Sequence, residues 1–431
     1  MPRIYFDNAA TSFPKPPEVF EAMLRYGTQV GASPGRGQYA ESREGAAIIR
    51  TCRERLAKFI GNPNPSNIVF VLNTSDALNL AIKGVVRAEV MGAKRAMREP
   101  RIRLVTTAMD HNSVLRPFAA LAEEGAEVVH VACDPASGLI DLDAWREALS
   151  PDATKRVGTT TLAAINWVSN VTGTIQPVAE AVAIAKSLGV PTLVDVAQGL
   201  GHLPFDQSAL GADLVAFPGH KGLLGPQGTG GLSIAPGFED RVATTREGGT
   251  GSIAELDAQP TTMPEKFEAG SHNTIGIAGL SEAVAWLQRR GMQTERTHEL
   301  LLINRTLEGL RDMGVFESNS PLRLLGPTDP ALRVGTFSFV HDTLAPSEFA
   351  AILESEFGIL SRAGIHCAPL AHQTVGTLKP GEDVFARGAT RVSYGPFVTT
   401  HDVEVLIGAL KEILNDESLH EPSGASRRHE R

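Results

Sequence analysis

Short β-rich runs alternate with helical stretches through the middle of the chain, and this alternation is the strongest constraint on the fold. Between two nearly all-apolar runs, Val178 to Leu188 has helical apolar spacing and stops at Gly189. Strands joined by crossover helices form a parallel sheet that is covered on both faces. The sequence therefore predicts an α/β fold around a mainly parallel seven-stranded sheet, with strands at Ile68 to Leu72, Ile102 to Thr107, Val128 to Ala132, Leu162 to Val168, Thr192 to Val196, Leu214 to Phe217 and Gly231 to Ile234.

After Gly270 longer helices replace the short alternating elements. Helices are predicted at Ile275 to Arg290, Thr294 to Met313, Pro346 to Phe357 and His401 to Leu414, with a strand at Val334 to His341. A chain of 431 residues also exceeds what one hydrophobic core usually organises. We therefore expect an N-terminal segment at 1–15 that joins the small domain, a large domain at 16–275, a smaller α+β C-terminal domain at 276–415 and a disordered tail at 416–431.

Charge and cysteine content argue against several classes of protein. A net charge of -9 disfavours a nucleic-acid surface, because phosphate binding needs clustered Lys and Arg. Neither a membrane span of about 18 apolar residues nor a secretion signal is predicted. Cys52, Cys133 and Cys367 are spaced too widely for a disulfide framework or a zinc site. We expect a cytoplasmic, metal-free protein in which Cys52 and Cys133 pack in the core.

A lysine follows one predicted strand directly, in the segment Phe217-Pro-Gly-His-Lys221-Gly. Turns made by Gly and Pro can hold such a lysine partly desolvated, which favours the neutral amine that forms a Schiff base. An exposed loop lysine is the commoner interpretation when this segment is taken alone. The glycine-rich stretch from Gly225 to Gly231 leads into a strand rather than a helix, so it predicts tight turns and not a nucleotide site.

Other predicted strands also end in polar residues. Asp195 ends an apolar strand, where a carboxylate needs a cationic partner such as a protonated pyridine nitrogen; a helix N-cap is the alternative. Thr74 and Ser75 stand between a strand and a helix, where amides and the helix dipole favour a phosphate, although an ordinary N-cap looks the same. His111 follows a further strand and can lie on a cofactor ring or be a turn histidine.

Together these segments resemble a known family over nearly the whole chain. In order and spacing they are similar to the class V aminotransferases and, within them, to the cysteine desulfurases and selenocysteine lyases. The resemblance implies the type I fold of transferases that depend on pyridoxal 5'-phosphate (PLP), the PLP cofactor itself and a homodimer with shared active sites. The matching segments read YFDNAAT, NTSDALNL, MDHNS, NWVSNVTGT, VDVAQ, GHKGLLGPQGTGGL, FEAGSHNTIGIAGL, RAGIHCAPLAH and ATRVSYG.

The resemblance also implies roles for individual residues. Lys221 would carry the cofactor covalently, Asp195 would pair with its pyridine nitrogen, and His111 would stack on its ring. Gln198 would contact the phenolic oxygen of that ring. The residues implied in phosphate binding are Thr74, Ser75, His220 and, reaching the neighbouring subunit's phosphate, Ser271.

Two positions depart from the family pattern, and both concern the phosphate. Pro218 stands where many members have a hydroxyl, and His272 replaces a frequent proline.

For the substrate, the resemblance implies that Asn170 lies near the ring and the substrate carboxylate. Arg391 would bind that carboxylate, a task that suits the paired donors of a guanidinium.

Cys367 decides between the reactions that such a cofactor permits. It lies in a segment whose glycine and proline predict a constrained loop, and the adjacent His366 is expected to favour the thiolate. The resemblance places a persulfide-forming cysteine here, whereas a buried inert thiol is the alternative on general grounds. The loop is short, between Arg362 and His372, which is similar to desulfurases that pass sulfur to a separate acceptor protein.

The expected activity is therefore conversion of L-cysteine to L-alanine, with the sulfur captured as a persulfide on Cys367. A PLP-dependent C–S lyase, a selenocysteine lyase acting on L-selenocysteine and an aminotransferase are alternatives within the same fold. A cofactor-free scaffold protein is a further alternative, which the presence of Lys221, Asp195 and His111 disfavours.

Overall fold

The computed structural model describes residues 3–35, 37–150, 160–250, 255, 257–378 and 387–416. The predicted tail lies outside these residues from position 417 onward. Short 3-10 segments and a π-helical turn at Tyr26–Val30 connect some of the regular elements. The elements of the first part are β1 (Ile4–Tyr5), α1 (Pro17–Arg25), α2 (Ala40–Ile60), β2 (Ile68–Val71), α3 (Thr74–Arg95), β3 (Arg103–Thr107), α4 (Asn112–Glu123), β4 (Glu127–Val131), α5 (Leu142–Leu149), β5 (Leu162–Asn166), α6 (Val178–Ser187), β6 (Thr192–Asp195), α7 (Gln207–Leu210), β7 (Leu214–Pro218) and β8 (Gly230–Ile234).

A seven-stranded sheet in the order β2-β8-β7-β6-β5-β3-β4 forms the centre of this part. Strand β8 runs antiparallel to both of its neighbours, whereas the pairs from β7 through to β4 are parallel. Alternate residues of a central strand enter different apolar clusters: Leu193 packs on one face of the sheet and Val194 on the other. The predicted α/β fold with a mainly parallel seven-stranded sheet is confirmed.

The predicted elements of this part are present, with ends that differ by a residue or two. The run from Leu162 to Val168 is the largest difference, because β5 ends at Asn166 and Val168 instead forms an isolated bridge with Ile175. Helix α6 ends just before Gly189, which adopts a φ of 69°. Glycine reaches this left-handed region without a Cβ clash, which explains why it stops the helix.

The second part contains longer helices and a smaller sheet. Strands β9, β10, β12 and β13 form a four-stranded sheet in the order β12-β13-β10-β9, and all of its pairs are antiparallel. The predicted strand from Val334 starts later, at Thr336. The elements here are α8 (Thr274–Arg290), α9 (Met292–Asp312), β9 (Leu322–Leu324), β10 (Thr336–His341), α10 (Pro346–Phe357), β11 (Ile359–Leu360), β12 (Arg362–Gly364), α11 (Pro369–Thr374), β13 (Ala389–Ser393) and α12 (Thr400–Asn415).

The start of the chain packs against this second part. Strand β1 pairs in parallel with β11, with Ile4 opposite Ile359. Phe6 is fully buried in an apolar cluster that also contains Phe337 and Val392. The first residues are thereby held beside β13, which carries one of the predicted site residues. The division of the chain into domains at the predicted boundaries stays a prediction.

A buried charged contact joins the segment after β6 to α9. His202 Nδ1 lies 2.9 Å from Glu299 Oε1, and Glu299 Oε2 accepts a hydrogen bond from Arg296 at 2.7 Å. Burial lowers the pKa of His202, but the Glu299 carboxylate outweighs burial, so the pKa is raised from its usual 6.5. A group whose pKa is higher in the folded state stabilises the fold fully below its unfolded pKa. This stabilisation is lost as the pH rises through the folded pKa.

We expect His202→Gln to reduce the free energy of unfolding by about 2 kcal/mol at pH 6, where a hydrogen bond to a charged group is lost. The difference from the wild type shrinks as the pH rises above about 6.5, the usual histidine pKa. Urea unfolding of both proteins at pH 6 and pH 8.5 measures this change. His401→Gln, at an exposed position on α12, is the control. A difference that is equal at both pH values contradicts the prediction.

Candidate active site

A cavity of about 100 Å³ lies at the ends of β2, β5, β6 and β7. In open α/β sheets this edge, outside the carboxyl ends of the parallel strands, is where ligands bind. Asn166, Ser113 and Asn73, which the sequence did not single out, also line the cavity. The predicted site residues that line it are Thr74, Ser75, His111, Asn170, Asp195, Gln198, His220 and Lys221.

Lys221 and Asp195 form the charged centre of the cavity. Asp195 is the last residue of β6, and its Oδ1 accepts a hydrogen bond from the Ala197 amide at 2.9 Å. Burial raises the pKa of Asp195, while the Ala197 amide and Lys221 partly oppose this shift. Burial also lowers the pKa of Lys221 to about 8, against the attraction of Asp195. The lowered pKa increases the fraction of neutral, nucleophilic amine that Lys221 supplies near neutral pH.

His111 presents a neutral ring to the same cavity. It is the N-cap of α4, and its Nδ1 accepts a hydrogen bond from the Ser113 amide at 3.0 Å. Burial is the main cause that lowers the pKa of His111 to about 3, and Lys221 adds to it. With Nδ1 accepting, the ring proton lies on Nε2. An uncharged, fixed ring is suited to packing on a flat cofactor.

The far end of the cavity has the features of an anion site. Helix α3 is 22 residues long and starts at Thr74, so its N-terminal amides and dipole are directed at this end. Ser75 Oγ and Ser113 Oγ lie 2.6 Å apart at the rim. His220 Nδ1 is buried without a partner in the described part of the chain, and burial lowers the pKa of His220 to about 4. An unpartnered nitrogen beside a helix start suits an oxygen-rich ligand group.

Arg391 is held by groups from distant parts of the chain. It lies on β13 and is only 2% exposed; Nη2 donates to Asp7 Oδ1 at 2.9 Å, and Nη1 donates to the Asn170 carbonyl at 3.0 Å. Its Nε has no partner among the described residues. Sequence reasoning assigned no role to Asp7, although it lies in the quoted YFDNAAT segment. No local pattern relates Asp7 to an arginine 384 residues later.

Cys367 is exposed on a tight turn next to the cavity. His366 and Cys367 have φ values of 50° and 57°, in the left-handed region that few non-glycine residues adopt. The Cys367 carbonyl accepts a hydrogen bond from the Asn112 amide at 2.8 Å, and the His366 carbonyl accepts one from Asn170 Nδ2 at 2.7 Å. The loop is constrained, as its glycine and proline indicated.

The expectation that His366 favours the Cys367 thiolate was wrong. Both ring nitrogens of His366 face other partners, the Arg362 carbonyl at 3.1 Å and His372 Nε2 at 3.2 Å. Burial holds the pKa of His366 well below its usual value. The ring is therefore neutral and supplies no positive charge to a thiolate.

The other cysteines pack in the core, as expected. Burial raises the pKa of Cys52 and of Cys133 to about 12, which makes both thiols poor nucleophiles. Cys133 lies beyond β4 and forms an isolated bridge with Ile140.

Ser271 lies apart from the cavity, and Gln198 has a protein partner. Ser271 lines a separate cavity of about 120 Å³ together with Arg246 and His272. His272 Nε2 is 3.2 Å from Glu268, which also binds the buried Arg53. Gln198 Nε2 donates to the Ala9 carbonyl at 3.0 Å, so the N-terminal segment covers this side of the site.

The described residues contain neither a candidate metal site nor a candidate membrane-spanning helix. They contain no group of three or more His, Cys, Asp or Glu side chains that could hold a metal ion. Among them there is also no helix whose length and apolar character would allow it to cross a membrane.

Comparison with known proteins shows the family to which the chain is similar. A family model described as aminotransferase class V matches residues 4–406. A probable cysteine desulfurase of Pyrococcus abyssi is 33% identical over 416 residues, 95% of this chain and 94% of that protein. One from Methanothermobacter thermautotrophicus is 31% identical over 413 residues, with 95% and 94% covered.

Solved structures show the same similarity. The apo cysteine desulfurase from Thermococcus onnurineus NA1 matches with a TM-score of 0.83 and 31% identity, covering 96% of this chain and 94% of that one. The S-sulfonic acid form of the cysteine desulfurase CsdA from Escherichia coli matches with a TM-score of 0.78 and 27% identity, covering 96% and 94%.

Proposed function

The chain belongs to the class V aminotransferase family, and from this membership we propose that it is a PLP-dependent cysteine desulfurase. It converts L-cysteine to L-alanine and captures the sulfur as a persulfide on Cys367. The observation that carries the proposal is an exposed cysteine on a constrained turn. A backbone hydrogen bond joins this turn to the start of α4, next to a cavity centred on a half-buried lysine.

The chemistry of the residues that line the cavity supports PLP as the cofactor. Lys221 would carry the cofactor covalently, and Asp195 would keep its pyridine nitrogen protonated. His111 would pack on the ring, and Gln198 would approach the phenolic oxygen with the amide hydrogen that Ala9 leaves free. The start of α3 with Thr74, Ser75 and the unpartnered His220 Nδ1 suits the phosphate. When bound, PLP supplies an electron sink for the negative charge that forms at the substrate Cα.

The protein's own residues then bind the substrate and move its protons. Arg391, with a free Nε and help from Asn170, binds the substrate carboxylate. The Lys221 amine removes the Cα proton and holds it, a task for which a lowered pKa is suited.

Sulfur transfer follows from attack by Cys367. Its thiolate bonds to the substrate sulfur, and the Cβ–S bond breaks with its electrons left on Cβ. A proton delivered there completes the methyl group of alanine. A persulfide on Cys367 remains for an acceptor protein to collect, and the exposure of this residue makes such collection possible.

We also propose a homodimer with shared sites. The cavity around Ser271 is separate from the Lys221 cavity of the same chain, so Ser271 would serve the neighbouring subunit's phosphate. A reducing cytoplasm suits a chain whose three cysteines are all free and whose chemistry needs an exposed thiolate.

Product analysis tests the proposal. The protein, reconstituted with PLP, is incubated with L-cysteine and a thiol reductant, and sulfide, alanine and pyruvate are quantified together. We expect alanine to match sulfide. Pyruvate matching sulfide would instead establish the alternative C–S lyase. L-Selenocysteine as a competing substrate measures the preference for sulfur or selenium.

The proposed binding of the substrate carboxylate by Arg391 gives a separate prediction. Arg391→Lys replaces a planar, paired donor set by a single ammonium group, and we expect KM for L-cysteine to rise about tenfold to a hundredfold, as one or two hydrogen bonds are lost. Steady-state kinetics measure this rise. Arg323→Lys, at an exposed position on β9, is the control. An unchanged KM in Arg391→Lys would show that the carboxylate binds elsewhere.

A further inference from the structure

A row of hydrogen-bonding side chains runs from the turn that carries Cys367 to the segment after α11. His366 Nε2 lies 3.1 Å from the Arg362 carbonyl oxygen, and His366 Nδ1 lies 3.2 Å from His372 Nε2. His372 Nδ1 lies 2.6 Å from Thr377 Oγ1. The side chains of His366, His372 and Thr377 are buried, at 4%, 0% and 8% exposed. The cofactor chemistry described above uses none of these three side chains.

These contacts determine where each proton lies. Burial lowers the pKa of both histidines, that of His372 to about 4, so each neutral ring carries one N–H. The Arg362 carbonyl can only accept, which requires the proton of His366 on Nε2 and leaves its Nδ1 as an acceptor. His372 must then donate from Nε2, and its Nδ1 must accept. The donor for that Nδ1 is the hydroxyl of Thr377.

The opposite arrangement leaves a conflict. The Thr377 hydroxyl can also point to the His372 carbonyl, 3.2 Å away. His372 would then donate from Nδ1 to Thr377, and His366 would have to donate from Nδ1. His366 Nε2 would face the Arg362 carbonyl with no proton between two acceptors. The Arg362 carbonyl therefore fixes the tautomers of both histidines, and the Thr377 hydroxyl is the donor that completes the row at His372 Nδ1.

His366 is part of the strained turn that presents Cys367. Both residues have positive φ values, and such a conformation persists where the surroundings hold it in place. We propose that Thr377 is a positioning residue: its hydroxyl donates to His372 Nδ1 and holds that ring as the donor to His366, which anchors the turn to the Arg362 carbonyl and places Cys367 for sulfur transfer. This inference rests on the proposed role of Cys367 as sulfur acceptor.

A double-mutant cycle tests the row with isosteric changes. Thr377→Val keeps the shape and removes the donor, and Thr377→Ser restores it. His372→Gln keeps a nitrogen donor where Nε2 lies but has no atom in place of Nδ1. We expect Thr377→Val to slow persulfide formation on Cys367 about tenfold in a single turnover, Thr377→Ser to stay within twofold of wild type, and Thr377→Val to have little further effect in His372→Gln.

Two further measurements make the cycle decisive. Exchange of the Cα proton of L-alanine in D2O depends on Lys221 and not on Cys367, so its rate is expected to be unchanged in Thr377→Val. Histidine-selective 15N NMR of the PLP-loaded protein should show the proton of His372 on Nε2 in the wild type. In Thr377→Val the pattern of 15N shifts should change at His372 Nδ1, because this nitrogen loses its hydrogen-bond donor. An unchanged pattern overturns the proposal, as does equal slowing by Thr377→Val in both backgrounds.

The two proposals fail in distinguishable ways. If wild-type protein forms no persulfide and makes pyruvate, the proposed function fails, while the 15N pattern still decides whether Thr377 donates to His372 Nδ1. If persulfide forms at the wild-type rate in Thr377→Val although the 15N pattern changes, the positioning role is wrong and the proposed function stands.

Discussion

Replacing Lys221 by Ala is expected to abolish formation of alanine from L-cysteine, with a loss of at least about 1,000-fold. The substitution removes both the covalent attachment of PLP and the base that moves the Cα proton, and general base catalysis alone contributes about 100-fold to 10,000-fold. The surrounding cavity keeps Asp195, His111 and the start of α3, so non-covalent binding of PLP should persist.

Two measurements check this expectation. The visible absorbance of the lysine-linked cofactor should be lost, while the PLP content after gel filtration falls less than the activity. Lys266→Ala is the matched control, because burial also lowers the pKa of Lys266, which lies outside the cavity and donates to the Glu239 carbonyl. Alanine formation within tenfold of wild type in Lys221→Ala would refute the assignment of the cofactor lysine.

Replacing Cys367 by Ala is expected to lower sulfide and alanine production by at least about 1,000-fold, because covalent catalysis loses its nucleophile. The Cα proton exchange of L-alanine in D2O should continue at close to the wild-type rate. Lys221, Asp195 and Arg391 are untouched, and Cys367 is exposed, so its removal opens no cavity in the core.

Cys52→Ala is the control for Cys367→Ala. Cys52 is fully buried in α2, and its raised pKa makes it inert, so sulfide production should be retained. Mass spectrometry of the wild type after one turnover should locate an added sulfur on Cys367. Retained alanine production in Cys367→Ala would show that another group accepts the sulfur, whereas a loss of bound PLP would show that the residue is structural.

The central sheet and much of the site could be predicted because their signals are local. A short apolar run is enough to predict a buried strand. A glycine such as Gly189 ends a helix because it adopts a left-handed φ. Asp195 ends a strand, and Lys221 and Thr74 lie within three residues of a strand end. Parallel strands bring such residues to one edge of the sheet. Their meeting in a single cavity therefore follows from strand order, once the elements are known.

The cysteine turn shows where local reasoning gave the wrong result. The sequence places His366 beside Cys367, but adjacency does not determine the direction of a side chain. A φ of 50° at His366 turns its ring toward His372 and the Arg362 carbonyl, where burial keeps it neutral. For this reason His366 does not supply the positive charge that we expected beside Cys367.

Local patterns in the chain thus specify which segments are strands and helices, and which polar residues stand at their ends. Strands and helices can be predicted in this way because their formation depends on propensities and steric rules within a few residues. The pairing of Asp7 with Arg391 and of His202 with Glu299, and the separate cavity of Ser271, arise only from tertiary packing. These contacts join residues far apart in the chain, so their energies depend on how complete layers pack and on how much water that packing excludes.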